Sequence, residues 1–167
     1  MKDRWRGRRT GLTLVVALTW GVIAASLVSG RGQAAVVVSD DAGRVLARLS
    51  LGKDDAFSLR YRNSLYGTSA EERFVIMGDG RFRLDELVAE QVAVLEEYYA
   101  VSEGPTRAAP GSWRAPPAYT LELDRLTVAA TDLGRRTLLV EGHRPLALWR
   151  LVDDAAPSVH LTVERAP

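Results

Sequence analysis

From Thr10 to Gly30 the chain runs 21 residues without a charge (TGLTLVVALTWGVIAASLVSG). At about 1.5 Å per residue, a helix of this length reaches roughly 31 Å, the thickness of a bilayer's hydrocarbon core. One charge at its centre would cost roughly 3 kcal/mol, and the run carries none. The leader before it, MKDRWRGRR, holds Lys2, Arg4, Arg6, Arg8 and Arg9 against Asp3, while Asp40 and Asp41 follow its far end. Basic flanks stay in the cytoplasm, which predicts Met1 inside and everything after about Gly30 outside. Two readings compete for this segment. An uncleaved single-pass anchor fits the length of the run. A cleaved signal, leaving a secreted or periplasmic product, would need its cut near Ala34-Ala35, where Gln33 and Arg31 make a mediocre site. Arg8-Arg9 is a weak twin-arginine signal, because Gly11 occupies the first apolar position after the pair. Residues 1–33 are therefore expected to be a basic leader plus membrane segment, and residues 34–167 an extracytoplasmic domain.

Charge and cysteine usage narrow the function classes. The whole chain has 22 Lys+Arg against 21 Asp+Glu. Without residues 1–9, 17 basic and 20 acidic residues remain. A mildly acidic domain is a poor phosphate neutraliser, so no nucleic-acid partner is expected. The absence of Cys excludes disulfides, thiolate metal sites, cysteine nucleophiles and a lipid-modified N-terminal cysteine.

Beyond residue 34 the chain reads as short strands between turns. Ala34–Ser39 and Arg44–Leu51 flank the turn residues Asp40-Asp41-Ala42-Gly43. Phe57–Asn63 alternates, with Phe57, Leu59 and Tyr61 on one face and Ser58, Arg60 and Arg62 on the other. Glu71–Met77, the turn Gly78-Asp79-Gly80 and a returning strand from Arg81 follow. Asp85–Ala100 fits strand and helix equally by pattern. Gly104–Pro117 holds four prolines and two glycines and reads as a loop whose Trp113 tucks against the core. Tyr119–Leu123, Leu126–Ala130, Arg136–Glu141, Leu146–Val152 and Val159–Glu164 complete the strands. Turn signals every 8–12 residues predict an all-β fold, an antiparallel sandwich or small barrel-like domain.

Few residues carry chemistry. Ser64, His143 and Asp132 supply the residue types of a hydrolase triad, but no local motif supports them, and no enzyme activity is expected. His160 is a lone strand histidine. Asp40-Asp41, Asp54-Asp55 and Asp153-Asp154 sit between apolar runs as turn formers, without metal-ligand spacing. No metal and no cofactor is expected.

The segment Tyr61–Arg73 stands apart. It is polar, lies between two strong strands and holds Tyr61, Asn63, Ser64, Tyr66, Glu71, Glu72 and Arg73, the candidate ligand-binding residues. By parity Asn63 shares the face of Tyr61, and Glu72 the face of Phe74 and Ile76. A hairpin across the intervening eight residues sets Asn63 opposite Glu72, Tyr61 opposite Phe74 and Leu59 opposite Ile76. Glu72 then points inward, where a carboxylate must be paired or sit at a cleft mouth.

At these residues the stretch FSLRYRNSLYGTSAEERFVIMGDGRFRL resembles the core of the bacterial proteins grouped as domain of unknown function 1850. The matching positions are Phe57, Leu59, Tyr61, Asn63, Ser64, Glu71 or Glu72, and Phe74, with Asn63 where many members carry His. The likeness covers residues 57–84 well and the remainder loosely. It implies a short exported domain encoded beside tripartite periplasmic transporters of organic acids, with a transporter subunit or its solute as partner. It also favours strand over helix for Asp85–Ala100. Two functions follow as expectations: a membrane-anchored, non-enzymatic, transporter-associated accessory domain, or a free-standing small-ligand binder of the cell envelope using the Tyr61–Glu72 end of the sheet.

Overall fold

The computed structural model describes residues 34–101 and 103–165. The expected membrane segment lies in residues 1–33, outside the described residues. Among the described residues no helix is long and apolar enough to cross a membrane.

The strands are β1 (Ala34–Ser39), β2 (Val45–Ser50), β3 (Ala56–Arg62), β4 (Ser69–Ile76), β5 (Phe82–Ala89), β6 (Thr106–Ala109) and β7 (Ser112–Ala115), then β8 (Glu122–Leu123), β9 (Arg125–Ala129), β10 (Thr137–Val140), β11 (Leu146–Ala147) and β12 (Ser158–Arg165). They form an all-β, antiparallel architecture of two sheets. One sheet has the order β2-β1-β12-β9, and the larger has β11-β10-β3-β4-β5-β7-β6 with β8 also on β5. A single core joins them, with Val36, Val38, Val128, Val159 and Leu161 from the first and Phe57, Leu59, Phe74, Phe82, Leu87 and Leu138 from the second. Phe57 stacks on Phe74 with centroids 5.0 Å apart, and Phe82 meets both rings edge-on.

The continuous apolar run of β1 is explained by its central position. Ala34, Val36 and Val38 enter the core, and Ala35 and Val37 are also buried. The Arg48–Glu164 ion pair, 2.7 Å, links β2 to β12 across that outer face.

Four expectations are corrected. First, β3 and β4 pair antiparallel, but the register is displaced by four residues: Leu59 faces Glu72, Tyr61 faces Ala70, and Phe57 faces Phe74. Glu72 is therefore not opposite Asn63. The connection is tighter than expected because Asn63 closes it. Its backbone N–H donates to the Thr68 carbonyl at 2.8 Å, and its carbonyl accepts from Gly67 N–H at 2.8 Å. Gly67 has φ 67°, a left-handed conformation that glycine adopts without a Cβ clash. An even displacement keeps parity, so both apolar sets still face the core.

Second, residues 104–117 are not a plain loop: β6 and β7 form a hairpin there. The prolines frame the strands. Pro105 precedes β6, Pro110-Gly111 makes the turn with Gly111 at φ 73°, and Pro116-Pro117 follows β7. Trp113 does pack against the core, with the Arg107 guanidinium 4.8 Å from its ring centroid. Third, Leu146–Val152 is strand only at β11, after which a 3-10 turn, Leu148–Arg150, buries Leu148. In the same way, Tyr119–Leu123 is strand only at β8.

Fourth, Asp85–Ala100 is neither strand nor helix throughout. It holds the rest of β5 and then a π-helical turn, Val94–Tyr98. In β5 the pairing passes from Arg73↔Glu86 to Phe74↔Leu84, which leaves Asp85 as the extra residue of a bulge. The buried positions change parity across it, from Phe82 and Leu84 to Leu87 and Ala89. That switch explains the near-helical spacing of the apolar residues.

Candidate functional site

The inward face of β3 and β4 ends in a chain of polar groups. Glu72 lies between the buried Leu59 of β3 and Leu87 of β5. A carboxylate so placed needs a donor. The π-helical turn supplies it, carrying Tyr99 back over the sheet so that its hydroxyl donates to Glu72 Oε1 at 2.7 Å. The Tyr99 oxygen is 2.6 Å from that of Tyr61. With the Tyr99 proton committed to Glu72, Tyr61 donates to Tyr99. Burial pushes the Tyr61 phenol up to about 12. Burial and the neighbouring Glu72 charge push Tyr99 far above the usual tyrosine range. Both phenols therefore stay protonated at neutral pH and act as donors. The chain of groups holds a half-buried carboxylate through two phenols in series.

Asn63 is 3% exposed, and its work is local. Its Oδ1 accepts from the backbone N–H groups of Leu65 at 3.0 Å and Tyr66 at 3.2 Å, an Asx-type turn that pins the loop. Tyr66 donates to Glu97 at 2.5 Å, tying the same loop to the π-helical turn. This bond raises the Tyr66 phenol above its ordinary value.

Glu71 and Arg73 point the other way. On the outer face of the larger sheet Arg60, Glu71, Arg73, Glu86 and Arg114 form a ladder across β3, β4, β5 and β7, with separations from 2.5 to 3.6 Å. Burial alone would raise the Glu71 carboxyl, but hydrogen bonds and charge from Arg73 and Arg60 outweigh it and hold it below the usual carboxylate range. The seven candidate residues thus divide among a polar chain, a loop turn and an outer ladder.

What does open at this end is a cleft of ≈ 170 Å³ between β3 and the turn leading into β10. Tyr61, Asn63 and Ser64 line it; Tyr66, Glu71, Glu72 and Arg73 do not. Arg62, Tyr98 and Arg136, which sequence reasoning missed, line it as well. The Arg136 guanidinium sits 4.7 Å from the Tyr61 ring centroid. Arg135, at φ 48°, bends the chain immediately before it. The adjacent Tyr98-Tyr99 pair was the signal that could have marked this place in the sequence.

The residues of a hydrolase triad are not brought together. Ser64 follows the last residues of β3, whereas His143 follows Val140, which pairs with Phe57 near the start of β3, and its Nε2 lies 2.9 Å from the Ser50 carbonyl. A seven-residue strand separates them by roughly 20 Å. His160 has partners on both nitrogens, Thr127 Oγ1 at 3.0 Å and Asp41 Oδ1 at 2.8 Å. Among the described residues no three metal-ligating side chains gather.

A scan of protein-family models gives no match to this chain, and neither curated proteins nor solved structures give one.

Proposed function

We propose that this chain is an extracytoplasmic accessory module, anchored by a single-pass helix over Thr10–Gly30, that serves a transporter by binding rather than by bond chemistry. The observation that carries the non-catalytic part is the Tyr61–Tyr99–Glu72 chain. The one carboxylate on the inward face of the β3–β4 hairpin is spent on a phenol that burial keeps protonated. The basic leader, the uncharged run and the likeness to the domain of unknown function 1850 family support the place and the transporter association. The test uses the full chain in a bacterial membrane. A reporter active only outside the cytoplasm, fused after Pro167, works, and a cytoplasm-active reporter does not. Replacing Arg4, Arg6, Arg8 and Arg9 with Glu impairs or inverts insertion. The chain co-purifies with the co-expressed membrane subunit of a tripartite transporter. Inverted reporters sink the location, and failure to co-purify sinks the association.

A second reading has its own support. The cleft of ≈ 170 Å³ is lined by Tyr61, Asn63 and Ser64, the part of the sheet expected to meet a small ligand. In this reading the domain binds a solute of the cell envelope directly.

A further inference from the structure

We infer that the cleft beside Tyr61 binds a small carboxylate, with the Arg136 guanidinium as its clamp. The inference rests on the second reading above and adds the chemical class of the ligand. Most arginines along the larger sheet meet acids: Arg60, Arg73, Arg81, Arg83 and Arg114 each lie within 3.6 Å of a carboxylate oxygen, while Arg107 at the β6 edge lies over the Trp113 ring and pairs with none among the described residues. What sets Arg62 and Arg136 apart is that they lack an acid and line a cleft. Neither Arg62 nor Arg136 has a carboxylate within 4.0 Å among the described residues. Arg62 spends one N–H on the Gly67 carbonyl, at 3.3 Å. Arg136 is half-buried against the Tyr61 ring. A ring face attracts the charge but offers no lone pair to the five guanidinium N–H donors. A cation so sheltered gains from an oxyanion that accepts two parallel hydrogen bonds.

Size and lining choose among oxyanions. The cleft, ≈ 170 Å³ and open to solvent on one side, seats a group of about six to eight non-hydrogen atoms. Tyr61, Tyr98 and Leu133 give it apolar walls, and Ser64 adds a hydroxyl. Those walls would cover a short carbon skeleton, which a carboxylate has and inorganic phosphate lacks.

The test is calorimetric titration of the full-length protein in detergent at low salt, with succinate, inorganic phosphate and the neutral isostere succinamide up to about 10 mM. Succinate is expected to bind saturably, at one site. Arg136→Gln weakens it at least about tenfold, and Arg136→Lys, which keeps the charge but loses the planar fork, falls between. Arg125→Gln, on β9, leaves it unchanged. If Arg136→Gln fails to fold by circular dichroism, Arg62→Gln takes its place, with weakening of at least about threefold expected. Succinamide binding without succinate overturns the charge assignment and leaves the ligand-binding reading standing. Binding of phosphate alone overturns the carboxylate. Silence from all three probes removes the ligand-binding reading as well. Succinate binding that a folded arginine variant does not weaken overturns the site.

Discussion

Asn63 and Glu72 show how a residue can be read correctly for the face it occupies and wrongly for its partner. Both were expected inside, and Asn63 is buried while Glu72 lies on the inward face. Yet Asn63 serves two backbone N–H groups of its own loop, and Glu72 serves Tyr99. Asn63→Ala should cost about 1–3 kcal/mol in urea unfolding, because those donors lose their acceptor. Asn63 and Glu72 share no hydrogen-bond partner, so the double variant should add within about 0.5 kcal/mol of the single changes. A coupling above about 1 kcal/mol would contradict this division of labour. Tyr99→Phe should cost about 1–3 kcal/mol, since it strands both Tyr61 and the carboxylate. The pH dependence follows from the raised phenols. A Tyr61 phenol held up to about 12 keeps its proton in the folded state while the unfolded chain releases it near 10. The native state then binds more protons, and stability falls as pH rises from about 10 towards 12. Unfolding followed across that window should show the loss in the parent chain and a smaller one in Tyr61→Phe.

At the scale of elements, the β3–β4 register turns on size. Tyr61 faces Ala70, a large ring over a small side chain, which lets the loop close at Asn63. Ala70→Leu should overpack this contact at a cost of about 1–3 kcal/mol, measured by the midpoint of chemical unfolding. The bulge at Asp85 matters more. Removing that residue would force Phe82 and Leu84, or Leu87 and Ala89, onto the outer face. The deletion variant should lose cooperative unfolding, and a deletion with near-parent stability would refute the bulge. On the outer face Glu71 bridges Arg60 and Arg73. Its carboxyl is held low, so its contribution is present above the ordinary carboxylate range and fades as pH falls through the folded value. The arginines are about half exposed, which limits each pair to about 0.2–1 kcal/mol.

For the whole molecule, the shared core makes the two sheets one unit. Leu161, fully buried on β12, packs in the same cluster as Phe57 and Leu59 of the larger sheet. Leu161→Ala should cost about 2–5 kcal/mol and leave a single unfolding transition by near- and far-UV circular dichroism. Two separated transitions would mean that the sheets fold independently.

The sequence by itself determined the all-β class, the alternation of β3 and β4, most of the turns and the inward direction of Glu72. Each depends on period-2 patterning or on turn chemistry, which act within a few residues along the chain. Only the tertiary structure decided the register of β3 on β4, because parity permits any even displacement and loop closure by Asn63 selects one. It also decided that the prolines of 104–117 frame a hairpin, since their position relative to strand ends depends on where pairing to β5 begins. The same holds for the cleft. Tyr61, Tyr98 and Arg136 are far apart in the chain, and their meeting depends on β3 pairing with β10 while the π-helical turn folds back. No local pattern encodes a contact among residues from three separate elements; it exists only once the shared core has fixed where each element lies.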